Sequence, residues 1–87
     1  PDYIFVKDGT KLVKIKWEEI LYVEGMKDYV TIHTKNQKII SLQRMKVLSE
    51  QLPSEKFMRI HNSFIISRRG VYLVKITARD FSESIFI

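Results

Sequence analysis

Residues 57–67 read Phe57-Met58-Arg59-Ile60-His61-Asn62-Ser63-Phe64-Ile65-Ile66-Ser67. A strand that only fills a core keeps a simple alternation of apolar and polar positions. Here apolar residues stand on either side of a compact polar island, Arg59 to Ser63, which carries a cation, an imidazole, an amide and a hydroxyl. An amide can pair with a base edge and a guanidinium with a phosphate. The stretch therefore reads as a nucleic-acid-contacting loop between two buried strand halves. A second reading stays open on these residues alone: His61 and Ser63 satisfy backbone groups in a β-bulge while Asn62 makes a turn. In both, Asn62 suits the loop tip, and His61, beside Ile60, is expected to pack inward as a structural support. Phe57, Ile60, Phe64, Ile65 and Ile66 are the expected core.

Working back towards the N-terminus, Leu52-Pro53 closes a helical pattern. Leu42, Met45, Leu48 and Leu52 fall at three- and four-residue spacing, with Ser41 as N-cap and Pro53 as the stop. This predicts one helix over 42–52, with Gln43, Arg44 and Lys46 near its first turn. Before it lie two strand pairs. Residues 29–34 (YVTIHT) alternate, with Val30 and Ile32 on one face and Thr31 and His33 on the other. They return through Lys35-Asn36-Gln37 into a strand over 38–41. Residues 20–23 (ILYV) are almost unbroken apolar, which predicts burial on both faces, and 24–28 (EGMKD) form a polar break in which Gly25 takes a backbone angle other residues resist. Nearest the N-terminus, 3–6 and 11–16 make a hairpin around Asp8-Gly9, with Lys11, Lys14 and Lys16 on a solvated face. Trp17-Glu18-Glu19 is a short turn. Towards the C-terminus, Arg68-Arg69-Gly70 is a turn and 71–77 (VYLVKIT) a strand, while 78–87 is weakly patterned. The expected architecture is mainly β, an antiparallel domain with one short helix.

Composition excludes several functions. The 87 residues make one small domain, and the absence of cysteine removes disulfides and thiolate metal sites. No apolar run approaches the ~20 residues a bilayer span needs, and no signal-peptide pattern opens the chain, so no membrane partner and a cytoplasmic setting are expected. Pro1 stands where an initiator Met would, so the chain reads as a piece of a longer protein. His33 and His61 have no carboxylate at helical spacing, which argues against a metal. The glycines at 9, 25 and 70 form no phosphate loop. Ser63 and His61 lie two apart on one strand and lack an orienting acid, so catalysis and a cofactor are not expected. The net charge of +5 favours a polyanionic partner without proving one.

The order of these elements carries more. A hairpin, then WEEILYVEGMKDYVTIHT, then a short helix ending at LP, then FMRIHNSFIIS closely resembles the LytTR family of bacterial DNA-binding domains. The resemblance covers about residues 4–67. It is carried by Phe57, Arg59, His61, Ser63, Phe64 and Ile65 with Leu52-Pro53, and supported by Ile20, Tyr22, Val23 and Glu24 and by Asp28-Tyr29-Val30. It implies an elongated, mainly antiparallel β domain that reads double-stranded DNA through loops, as the output of a two-component transcriptional regulator. It also implies a receiver domain upstream and, through it, a sensor kinase. It allows a homodimer on repeated sites and leaves open whether this fragment pairs by itself.

Residue by residue, the resemblance implies that Asn62 reaches a base edge while Arg59 and Ser63 hold the phosphate backbone. Lys27 and Asp28 fall in the loop that supplies another groove contact, Lys27 being the safer choice beside phosphates. Arg44 and Lys46 match backbone-contacting positions. Relatives usually continue through two more strands into a segment with several basic residues, whereas 78–87 offers only Arg79. Residues 71–87 are therefore read as divergent or truncated, with Arg68 and Arg69 as partial substitutes. The rivals are an RNA- or single-strand-binding module using Tyr22, Tyr29, Phe57, Phe64 and Tyr72, and a protein-interaction β module using a sheet edge or the apolar tail.

Overall fold

In the computed structural model, residues 2–68 are described, together with the backbone of two-residue strands at 73–74 and 85–86. Strand β1 (Tyr3–Asp8) pairs antiparallel with β2 (Lys11–Lys16), and Asp8 lies opposite Lys11. The turn is thus Gly9-Thr10, one residue beyond the expected Asp8-Gly9, and Gly9 takes the positive φ of 66°. Alternation along the hairpin buries Val6 and Ile15, and Lys11, Lys14 and Lys16 are exposed. A 3-10 turn, Trp17–Glu19, follows and is closed by the Lys16 N–H donating to Glu19 Oε1 at 2.8 Å.

The main sheet holds β3 (Ile20–Met26), β4 (Tyr29–Thr34), β5 (Lys38–Ser41), β6 (Phe57–His61) and β7 (Phe64–Ser67). Its spatial order is β5-β4-β3-β7-β6, antiparallel throughout. Val23, Val30, Ile32, Ile39 and Ile65 line one face and join Val6 and Ile15 of the first hairpin in a single core. Helix α1 (Met45–Gln51) adds Met45 and Leu48 to that core, and Leu52 and Phe57 complete it. On the other face Phe64 and Ile66 are buried, while Tyr22, Glu24, Thr31 and His33 are half-buried. The principal extents are 35 × 26 × 24 Å, so the mainly β domain has one longer axis.

Four further expectations are corrected. Burial of 20–23 on both faces does not hold, because only Ile20 and Val23 are buried and Leu21 and Tyr22 are half-exposed. The helix is seven residues long, starting at Met45 instead of Leu42. Ser41 is not its N-cap: it pairs with Val30 as the last residue of β5, and its carbonyl and hydroxyl accept the Gln43 N–H (3.0 Å) and Nε2 (3.1 Å). That local ring separates strand from helix and leaves Leu42 exposed; Arg44, with extended backbone and no side-chain cap, is the N-cap residue. Leu52 ends the helix in extended conformation, as a residue before proline prefers. Finally, the polar break at 24–28 shrinks to Lys27-Asp28, since β3 runs on to Met26.

Strand β8 (Leu73–Val74) pairs antiparallel with β9 (Ile85–Phe86), so the weakly patterned tail contains a strand. Arg69, Tyr72 and Arg79 lie outside the described residues.

Candidate nucleic-acid interface

Antiparallel pairing decides which connections share an end of the sheet. Glu24 lies opposite Phe64 and Val30 opposite Ser41. The turn after β3 (27–28), the connection after β5 (42–44) and the turn after β6 (62–63) therefore emerge side by side. One residue joins all three. Gly25 donates its N–H to the Ser63 carbonyl at 2.7 Å and stands two residues before Lys27. A Cβ on Gly25 would lie 3.3 Å from Met45 Cβ and 2.9 Å from Met45 Cε, so the start of α1 packs directly on the glycine. Its φ is not positive; the glycine serves close approach, not a special turn angle. A lone glycine inside a strand pattern was the available signal for this.

The polar island is a tight hairpin with a shift in register between Arg59 and His61. Arg59 folds back over the turn, with Nη2 donating to the Asn62 carbonyl (2.8 Å) and Nε to the His61 carbonyl (3.4 Å). His61 is exposed instead of packed inward, and its Nδ1 accepts the Ser63 N–H at 3.0 Å. That bond requires the tautomer with Nδ1 unprotonated. Ile60 is only half-buried, since alternation from the core residue Phe57 puts it on the opposite face. The His61 and Asn62 carbonyls and the Ser63 N–H are thus held from within the hairpin, the Ser63 carbonyl is held by Gly25, and the Asn62 amide is left without a hydrogen bond to the described residues. Bulge support and an outward-facing Asn62 coexist.

In the 27–28 turn, Lys27 takes φ 52°, the one positive φ on a non-glycine among the described residues. Asp28 Oδ1 lies 3.5 Å from Arg44 Nε, both well exposed, which links this turn to the connection before α1. Lys46 is exposed in the first helical turn. Lys27, Arg44, Lys46 and Arg59 are set against Asp28 at this end, a cationic rim around two hairpin tips.

Arg68 is elsewhere. It follows β7 at the opposite end, about 16 Å along an extended strand from Ser63. Its Nε donates to the carbonyls of Ser54 (2.9 Å) and Phe57 (3.3 Å) beside a cleft of about 610 Å³ lined by Tyr3, Trp17 and Phe57. The structure does not group it with Asn62.

On the outer sheet face, Tyr22 stacks on His33 at 4.1 Å between ring centroids, and His33 Nε2 is 3.4 Å from Glu24 Oε1. Burial pulls the His33 pKa below the ordinary histidine value, with the Glu24 contact opposing, and burial followed by Glu24 raises that of Tyr22. Among the described residues no three His, Asp or Glu side chains converge as a metal site, and no helix is long and apolar enough to cross a membrane.

The profile of the LytTr DNA-binding domain matches residues 10–82. The chain belongs to the LytTR family of DNA-binding domains. Its sequence is 33% identical over 60 residues to the sensory transduction protein LytT of Bacillus cereus, covering 69% of this chain and 24% of that protein. LytT of Bacillus anthracis gives the same figures. This LytTR chain spans about a quarter of the length of those relatives. A solved LytTr DNA-binding domain of a response regulator from Bacillus cereus superposes with a TM-score of 0.70 at 15% identity, over all of this chain and 86% of the other. That likeness establishes the LytTR fold.

Proposed function

We propose that this domain reads duplex DNA sequence-specifically, as the output module of a two-component transcriptional regulator. The observation that carries the reading is the convergence of two hairpin tips and the start of α1 at one end of the sheet, the end that carries Lys27, Arg44, Lys46, Arg59 and Asn62. Asn62 is assigned the principal base contact, and Lys27 and Asp28 a second. Arg59, Ser63, Arg44 and Lys46 hold the phosphates and set the register. The free amide of Asn62 offers a donor and an acceptor on one plane, which fits the adenine edge in the major groove.

The ring positions speak against single-strand stacking. Phe57 and Phe64 are buried, and Tyr22 is covered by His33, which leaves Tyr29 as the exposed ring among those considered on the sheet. A stacking platform needs several such rings in a row.

The test begins with a duplex selected from a random pool by the wild-type chain. Asn62→Ala is expected to lose about 1–3 kcal/mol on that duplex and to relax base preference. Equal losses on the selected duplex and on random DNA remove Asn62 from the reading role, and better competition by single strands than by duplex overturns the function. In the longer protein a receiver domain N-terminal to residue 1, addressed by a sensor kinase, would supply regulation and pairing on repeated sites. The length of the LytT relatives and their description as sensory transduction proteins support that placement.

A further inference from the structure

Four large apolar side chains stand exposed around the 27–28 turn: Met26 (66%), Tyr29 (51%), Ile40 (48%) and Leu42 (72%). Met26 and Tyr29 are the closing pair of the β3–β4 hairpin. Strand alternation puts both on the face away from the core, because Val23, Val30 and Ile32 fill the other. Ile40, opposite Thr31, shares that face, and Leu42 leaves β5 one residue beyond the Val30–Ser41 pair, alongside Tyr29. Elsewhere on this face Phe64 and Ile66 are covered. Scattered single apolar residues need no explanation, but adjacent ones in a cross-strand group do.

We infer that Met26, Tyr29 and Leu42 form an apolar reading surface for thymine C5-methyl groups in the major groove. The inference rests on the DNA-reading function proposed above. Two of the residues flank Lys27-Asp28 directly, so any approach that seats this turn in the groove brings them to the bases as well. The thymine methyl is the apolar feature that base edges present in the major groove, and it is read by apolar contact. Lys27 stands between Met26 and Tyr29 in the chain, and Arg44, two residues beyond Leu42, reaches Asp28, so cations border the patch as phosphates border a methyl-lined groove. Four side chains fall well short of the roughly 20–30 residues per partner of a standard protein interface. The inference extends readout beyond polar groups: the turn supplies Lys27 and Asp28 for donor and acceptor positions, and its flanks distinguish thymine from cytosine.

The probe is again the duplex selected by the wild-type chain, with each thymine replaced in turn by deoxyuridine. This deletes one methyl and leaves base pairing and the O4 acceptor in place. At one or two positions the replacement is expected to weaken wild-type binding about fourfold, the effect of one lost apolar carbon. Leu42→Ser and Met26→Ala, both at exposed positions, are expected to bind less tightly and to show no penalty at those same positions. Wild-type binding that stays specific and indifferent to every deoxyuridine overturns the inference while leaving the DNA reading intact. So do penalties that persist unchanged in both variants. If self-association accompanies indifference to deoxyuridine and is lost in Leu42→Ser, the patch serves a second copy of the chain instead. Failure of any duplex to be selected removes the DNA reading and this inference together.

Discussion

The backbone N–H of Gly25 donates to the carbonyl of Ser63 across 2.7 Å, tying the central strand to the tip of a hairpin that begins thirty residues later. On its other side the same residue has no room for a methyl group beneath Met45. One position thereby sets the spacing of the two tips and the seat of α1. Gly25→Ala adds a carbon 3.3 Å from Met45 Cβ, which the helix start must yield to, whereas the Cε contact is relieved by a rotation. The expected cost is about 1–3 kcal/mol in urea unfolding, as for other overfilled sites, with weaker binding to the selected duplex. Unchanged stability would show that α1 is not seated by this contact.

Arg59 and Arg68 make a matched pair for separating structure from DNA contact. Each donates to two backbone carbonyls, but at opposite ends of the β6–β7 hairpin. Alanine at either is expected to cost about 0.5–1.5 kcal/mol of stability. Only Arg59→Ala should also weaken binding on all duplexes and reduce the slope of affinity against salt by about one counterion. A reduced slope for Arg68→Ala would place DNA at both ends of the hairpin.

Lys27 holds a left-handed backbone that a side chain makes unfavourable. Lys27→Gly relieves that strain and adds unfolded-chain entropy, so the net effect on stability is expected to stay within about 1 kcal/mol. DNA affinity should nevertheless fall on the proposed reading, because a cation leaves the tip assigned to the groove. Thermal unfolding and gel shift on the same variant measure both. Undiminished affinity excludes Lys27 from the interface.

Protonation of His33 should cost stability. Its folded pKa lies below the ordinary value of about 6.5, chiefly from burial against Tyr22, with Lys38 adding to the depression and Glu24 opposing it. The unfolded chain therefore binds the proton more readily. The contribution of this group is complete above about pH 6.5 and is lost as pH falls through the folded pKa. Urea midpoints between pH 7.5 and 5 should decline for the wild type, and His33→Gln should decline less. Parallel curves would assign the loss to other groups.

Local pattern in the chain was enough for the strand pairs at 3–16 and 29–41, for the stop at Pro53 and for the mainly β class. It misplaced what local pattern does not control. Leu42 has helical spacing to Met45, yet Ser41 is bound into β5 and its polar atoms engage Gln43, so tertiary pairing overrides periodicity. Arg68 looked close to Asn62 because six positions are few in a sequence, but in a strand they are a long way. Conversely, Arg44 and Asn62 are distant in the chain and share an end of the sheet, through the pairings of β3 with β7 and of β4 with β5. The polar island was legible as a loop between two strands. That its backbone groups are closed by Arg59 and His61 themselves depends on side-chain direction, which spacing does not encode.

Strand β3 is paired on one side with its immediate neighbour β4 and on the other with β7, whose paired residues lie forty or more positions later, as with Tyr22 and Ile66. Such a closure is entropically expensive and belongs to the late part of folding. The order of assembly then has a biological edge: during synthesis the 27–28 tip and α1 are made before the 62–63 tip that β7 sets beside them. A nascent or cleaved chain ending before Phe64 carries most of the cations but not their arrangement. If the domain reads DNA as proposed, that competence is acquired with the pairing of β3 and β7, and partial chains are expected to hold DNA only weakly and without preference.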